Sequence, residues 1–186
     1  MTTKLNEGTF RERFFRTNTK SLIGAVIMGI VFLIMMQVTG RIDGVLDPNF
    51  LLFNGSCFAF FTGLIFLMYR QPAGIIAGLV EALVAMATAY SALAVVFLVA
   101  NVVGSLVYSF IAIQFSMEKW WQHILAQFGC AFSANACIML GLVYLMGLPW
   151  GVAAFCQLIN SLVGTVAAGI LTKIAYDGLK RTNLLG

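Results

Sequence analysis

The sequence predicts an all-α integral membrane protein with six transmembrane helices and both termini in the cytoplasm. Hydrophobic residues make up 61% of the 186 residues, and charged residues only 10%. The mean hydropathy is +0.95, whereas soluble domains carry roughly 25% charged residues. Apolar stretches of about 20 residues, the length that spans a bilayer core, recur along the chain. Most lysines and arginines lie between these stretches, on what we predict to be one side.

The boundaries of the predicted elements follow from hydropathy and turn residues. Residues 1–20 are basic, with phenylalanines near helical spacing, which is typical of an amphipathic helix on an anionic membrane surface. Residues 40–49 are polar and rich in turn residues, so we expect a loop there. The six helices are expected at about 21–39, 50–69, from 72, from 91 or 92 to 113, 124–146 and 149–176. Residues 1–186 are expected to form a single membrane domain.

The distribution of positive charge predicts the orientation. With six helices both termini lie on one side, and ten of the eleven lysines and arginines fall there. Only Arg41 falls on the other side, accompanied by Asp43 and Asp47. Cytoplasmic segments carry the excess of Lys and Arg, so both termini are predicted to be cytoplasmic.

Glu81 lies near the middle of the predicted third helix, in an otherwise apolar segment. A carboxyl group at that depth is costly and indicates a functional site. Residue counts at about 1.5 Å per residue place several amides at a similar depth or nearer the outer side. We therefore predict a binding pocket capped by aromatic side chains and open to the outside. Its predicted members are Glu81, Asn101, Asn135, Gln157, Asn160, Tyr90, Trp150 and Asn54.

Structural explanations for the same residues remain open. Glu81 could be a neutral acid hydrogen-bonded to a neighbouring helix, and the amides could simply join helices, at about 0.6 kcal/mol per contact. The four cysteines lie in apolar stretches without a CxxC pair, and His123, the only histidine, is expected at the inner interface beside Trp120 and Trp121. These patterns indicate no metal site, cofactor or nucleic-acid partner. No catalytic motif is present, so we expect no enzyme activity.

Two stretches resemble a known family. The segment YRQPAGIIAGLVEAL is similar to the start of helix 3 in the substrate-binding S components of energy-coupling-factor (ECF) vitamin transporters, which are ABC-type importers. The segment INSLVGTVAAGILTKIAYDGL with KRTNLLG resembles the end of the branch that takes up thiamine or its hydroxymethylpyrimidine precursor. The length and the six predicted helices are similar as well.

The resemblance implies a function and a set of partners. The chain would bind a small vitamin from outside, favouring hydroxymethylpyrimidine or thiamine, with pyridoxine or another vitamin as the alternative. It would assemble with a transmembrane coupling subunit and two cytoplasmic ATPases. Ser21, Ala25 and Gly29 share one face of helix 1 at four-residue spacing, which permits close helix approach, and they match the family's docking motif for the coupling subunit. A self-contained secondary carrier or channel is the alternative class.

Overall fold

A computed structural model describes residues 8–46, 50–88 and 91–181, and within these ranges the chain is almost entirely helical. Its helices are α1 (Phe10–Phe14), α2 (Thr19–Leu46), α3 (Leu52–Tyr69), α4 (Ala73–Ala87), α5 (Ala94–Ala112), α6 (Trp120–Tyr144) and α7 (Trp150–Arg181). Five of them, α2, α3, α5, α6 and α7, are long and apolar enough to cross a membrane. The prediction of an all-α membrane protein is confirmed. α4 is apolar but has only 15 residues.

The helices pack into one bundle around α3. Each helix packs against the next in the order α2, α4, α5, α6, α7, α3, and α3 packs against α2, which closes the ring. α3 also contacts α4, α5 and α6. Consecutive helices pack side by side, so they alternate in direction. One end therefore holds α1, the α3–α4 and α5–α6 connections and the end of α7. We call it the basic end, because nine of the chain's eleven lysines and arginines lie there among the described residues.

Three boundaries differ from the sequence prediction. The expected loop at 40–49 is wrong for its first part, because α2 continues to Leu46. The carboxylate of Asp43 in this extension accepts hydrogen bonds from the first turn of α3, which ties the extra turns to the bundle. α6 begins at Trp120, so the tryptophans expected in a loop lie in its first turn. α7 runs on to Arg181, and an ion pair between Lys173 and Asp177 links successive turns there.

The described part of the basic N-terminal segment packs on the bundle. Among residues 8–18 the helical part is Phe10–Phe14, and Phe14 is buried against Phe66 and Phe110. The Nη1 of Arg13 donates to the carbonyl oxygen of Ile113 at 3.1 Å, at the end of α5. A cation at that position satisfies a free carbonyl and complements the helix dipole. The part of the predicted amphipathic helix before residue 8 lies outside the described residues.

Candidate functional site

A small cavity lies where five helices meet, α2, α3, α5, α6 and α7. Its polar wall consists of four asparagines from four different helices, Asn54, Asn101, Asn135 and Asn160. The apolar wall includes the rings of Phe58 and Phe97 and the side chains of Met36 and Ile138. The volume is about 30 Å³, which suits a few water molecules and is far below the roughly 300–1,000 Å³ of pockets for drug-sized ligands. The cavity is closed to a vitamin-sized molecule in this conformation.

Glu81 lies behind the cavity wall and reaches it through Asn101. The Glu81 side chain is fully buried, and its Oε2 accepts a hydrogen bond from the Nδ2 of Asn101 at 2.9 Å. The same Nδ2 donates to the carbonyl oxygen of Gly78 at 2.8 Å. A Cβ at Gly78 would lie 2.9 Å from the Cβ of Asn101, so the glycine permits this close contact between α4 and α5. The Oε1 of Glu81 has no partner among the described residues.

A second polar group forms the α6–α7 side of the cavity. The Nδ2 of Asn135 donates to the Oγ of Ser161 at 2.9 Å, and the Nδ2 of Asn160 lies 3.5 Å from the Oδ1 of Asn135. The Oδ1 of Asn160 is buried and accepts no hydrogen bond in the described part of the chain. This amide rests on Gly55 of α3, where a Cβ would lie only 2.2 Å from the Oδ1. Gly55 thus makes room for the Asn160 amide.

The other predicted members of the pocket lie elsewhere. Gln157 is buried on α7, and neither its Oε1 nor its Nε2 has a partner among the described residues, but it does not line the cavity. Trp150 does not line the cavity; its side chain is 51% exposed and packs edge-on against Tyr144 at the far end of the bundle. Tyr90 lies outside the described residues. The aromatic rings that line the cavity are Phe58 and Phe97, which the pattern of polar residues does not reveal.

Asp43 lies next to the cavity wall, and the sequence pattern did not predict a role for it. Its carboxylate is fully buried and accepts hydrogen bonds from the backbone N–H groups of Phe53 at 2.9 Å and Asn54 at 2.7 Å. A negative charge at a helix N-terminus satisfies free N–H groups and complements the helix dipole. The Nδ2 of Asn54 donates to the carbonyl oxygen of Met36 at 3.3 Å. The wall of the cavity formed by α2 and α3 is therefore held together by hydrogen bonds.

The predicted docking stripe is buried inside the chain. Ser21, Ala25 and Gly29 are all buried. The Oγ of Ser21 donates to the carbonyl oxygen of Tyr69 at 2.7 Å, and a Cβ at Gly29 would lie 3.2 Å from the Cα of Ala77. The stripe does permit close helix approach, but the helix that approaches is α4 of the same chain. In this conformation the stripe is packed inside the chain, and docking of a partner on it stays a prediction.

His123, predicted at the inner interface, lies near the start of α6 at the basic end. It is fully buried, with its Nε2 2.7 Å from the carbonyl oxygen of Met117 and its ring 5.4 Å from that of Tyr176. Cys57, Cys130 and Cys156 are buried free thiols, and Cys137 is partly buried. No group of three or more potential metal ligands occurs among residues 8–46, 50–88 and 91–181.

Comparisons of the chain with family models, with curated proteins and with solved structures returned no match. The cavity itself is therefore the main indication of function in this chain.

Proposed function

We propose that the chain is the substrate-binding subunit of an ECF-type vitamin importer. The observation that carries the proposal is the convergence of four asparagines on one cavity, with Glu81 one hydrogen bond behind it. If the amides only joined helices, all of their hydrogen-bond acceptors could have partners. Here the Oδ1 of Asn160 and the Oε1 of Glu81 have no partner within the described ranges. Buried acceptors without partners are costly, and a ligand that donates hydrogen bonds would satisfy them.

The chemistry of the wall favours an aromatic nitrogen heterocycle as the ligand. Its amino or hydroxyl groups would donate to Asn160 and, after Asn101 rotates, to Glu81. Phe58 and Phe97 offer ring faces or edges for stacking. No lysine or arginine of the described ranges lines the cavity, which disfavours ligands with several carboxylates. Hydroxymethylpyrimidine and thiamine fit this description, and pyridoxine is the alternative in the same role.

Binding requires the cavity to enlarge. The cavity volume is about 30 Å³, and a pyrimidine ring needs several times that space. The Asn54–Met36 and Asp43–α3 hydrogen bonds hold the wall on the side of α2. Ligand binding would shift the population towards a form in which these contacts are separated.

The proposed topology has six spans with both termini in the cytoplasm. α4 would be the sixth span, although its 15 residues give about 22 Å of helix, less than the roughly 30 Å of the bilayer core. α4 packs between α2 and α5. The basic end would face the cytoplasm of a bacterial cell, by the excess of Lys and Arg there.

The proposed partners are a transmembrane coupling subunit and two cytoplasmic ATPases. Because Ser21, Ala25 and Gly29 are covered by α4 and Tyr69, docking through that stripe would require α2 to separate from α4. Otherwise, the coupling subunit must use another surface. Co-purification with an Ile27→Trp variant, which alters the exposed face of α2, compared with a Gly29→Trp variant, distinguishes the two modes.

The proposal is tested by purifying the chain in mild detergent and identifying bound small molecules by mass spectrometry. A vitamin or vitamin precursor at about one molecule per chain is the expected result. The matched sample is Asn160→Leu, which should lose the molecule, and the control is Gln114→Leu, an exposed amide outside the cavity. If the chain alone transports the ligand into vesicles, it is a carrier and the subunit proposal fails.

A further inference from the structure

The α3–α4 connection contains a buried positive charge that no described acid neutralises. The Arg70 side chain is only 7% exposed, and its Nη1 is buried without a hydrogen-bond partner among the described residues. The ion pairs found in the described part of the chain join Lys173 to Asp177 and Lys180 to Glu118, and neither includes Arg70. An arginine stays charged at neutral pH, and leaving a buried charge uncompensated is strongly unfavourable. This position therefore calls for an anion from outside the described chain.

The backbone at Arg70 is also strained. Its φ of 64° and ψ of −174° lie in a region that glycine occupies almost exclusively. A glycine would relieve the strain and remove the buried charge at once. Strain of this kind is concentrated at ligand sites, where the side chain is needed. The arginine at this position thus indicates a role for its guanidinium group beyond the helix connection.

A second arginine, Arg16, packs against the same connection. The backbone N–H of Arg16 donates to the carbonyl oxygen of Gln71 at 2.7 Å, and its Nη1 donates to the carbonyl oxygen of Met68 at 3.5 Å. Burial, followed by the positive charge of Arg16, lowers the pKa of Arg70 to about 10, which leaves the Arg70 guanidinium charged at neutral pH. The Arg70 guanidinium also lies over the ring of Phe66 at 5.3 Å. Two neighbouring guanidinium groups suit a phosphate, which accepts several hydrogen bonds from each.

We propose that Arg70 and Arg16 form a site for the phosphate of an anionic phospholipid such as phosphatidylglycerol. The surrounding surface favours a lipid over a soluble anion. Phe10 and Phe15 on the adjoining segment are each about half exposed, as expected for side chains among lipid headgroups and upper acyl chains. The basic end as a whole carries most of the chain's positive charge, which attracts anionic lipids. Basic pockets between transmembrane helices on that side of a membrane bind such headgroups.

The proposed site links several helices. The N–H of Gln71 donates to the carbonyl oxygen of Phe14 at 2.9 Å, which joins the N-terminal segment to the α3–α4 connection. The lipid phosphate would therefore hold the N-terminal segment, the end of α3 and the start of α4 together. It follows that phosphatidylglycerol should raise the thermal stability of the whole bundle, and not only occupy its surface.

The experiment uses the full chain in neutral detergent with added phosphatidylglycerol or phosphatidylcholine. Native mass spectrometry measures retained lipid, and a thermal melt measures stability. We expect phosphatidylglycerol, but not phosphatidylcholine, to be retained and to raise the midpoint. Arg70→Gly should raise the midpoint without lipid, because it removes strain and a buried charge, and should abolish the lipid-dependent rise. Arg16→Gln should reduce retention about fivefold. Arg41→Gln, an exposed position at the opposite end, is the matched control and should behave like the unmodified chain.

Several results would overturn the proposal. One is an unchanged phosphatidylglycerol response in both Arg70→Gly and Arg16→Gln. Another is an equal midpoint rise with inorganic phosphate at the headgroup concentration, or with an acidic peptide, since either would make the ligand something other than lipid. If Arg70→Gly does not fold, Arg70 is required structurally, and the partly exposed Arg16 alone then decides the question by its effect on lipid retention.

Discussion

Two groups of buried polar side chains in the bundle differ in how completely they are hydrogen-bonded. At the α3–α4 connection, the Gln71 cluster (Gln71, Ser105 and Ser109) is fully hydrogen-bonded. The Nε2 of Gln71 donates to the Oγ atoms of both serines at 2.8 Å, and its Oε1 accepts from the N–H of Ile75 at 3.1 Å. At the cavity, Asn160 and Glu81 each retain an oxygen without a partner among the described residues. A fully satisfied network joins helices, whereas unsatisfied acceptors beside a cavity are available for a ligand.

The comparison predicts its largest effect for Gln71→Leu. The change removes the acceptor for an N–H in the first turn of α4 and the donor to two buried hydroxyls. Each buried group left without a partner costs about 1–3 kcal/mol, so we expect the free energy of unfolding to fall by about 3 kcal/mol. The measurement is reversible denaturation in mixed micelles. Ligand affinity of the folded fraction should be unchanged, and a selective loss of affinity would contradict the division into two kinds of network.

Glu81→Gln tests the polar groups at the cavity. For a cationic ligand we expect binding to weaken by about 1.5–3 kcal/mol, the scale of a hydrogen bond to a charged group, with a smaller loss for a neutral one. Stability should not fall, and Glu81→Leu should leave it equal or higher, because burying an acid is costly. Titration calorimetry and denaturation measure the two effects separately. Glu118→Gln, an exposed acid at the basic end, is the control.

Gly55→Ala perturbs the cavity by a single methyl group. Because the new Cβ would lie 2.2 Å from the Oδ1 of Asn160, the amide must rotate away from its present position. We expect ligand affinity to fall about tenfold, or about 1.4 kcal/mol, with a smaller change in stability. Gly151→Ala is the matched control, since nothing lies within 4 Å of its added Cβ. Equal affinities in the two variants would show that the position of Asn160 does not matter for binding.

The smallest effect is expected at the surface. Glu118→Gln removes the ion pair with Lys180, whose atoms are 2.8 Å apart between two exposed side chains. Exposed pairs contribute between about 0 and 1 kcal/mol, so the denaturation midpoint should barely move, and the small change should vanish in high salt. A loss comparable to that of Gln71→Leu would mean that the stability of this bundle does not depend mainly on its buried networks.

The sequence predicts the depth of a cavity residue along its helix, but it does not predict the direction in which the side chain points. Counting residues along alternating helices gives depth, and it brought Asn101, Asn135 and Asn160 to one level, where the structure has them around one cavity. The direction of a side chain around its helix axis is set by packing between helices. The count therefore could not show that Trp150 points outward or that Glu81 lies behind Asn101.

The small-residue stripe illustrates a second limit. Small residues at four-residue spacing permit any helix to approach closely, so the pattern is the same for a partner subunit and for a helix of the same chain. The neighbour of Gly29 is Ala77 of α4, a pairing distant in sequence. Asp43 was missed for a related reason, because its polar surroundings resemble a loop, and its acceptor role depends on where the start of α3 lies.

Titration calorimetry of the detergent-purified chain with hydroxymethylpyrimidine, thiamine and pyridoxine tests the central claim most directly, with Asn160→Leu and Gln114→Leu measured alongside. The account predicts that one of these compounds binds at one molecule per chain. Affinity should fall at least about tenfold in Asn160→Leu and remain unchanged in Gln114→Leu. The account would be contradicted if none of the three compounds bound the unmodified chain, or if Asn160→Leu bound the cognate compound as tightly as the unmodified chain does.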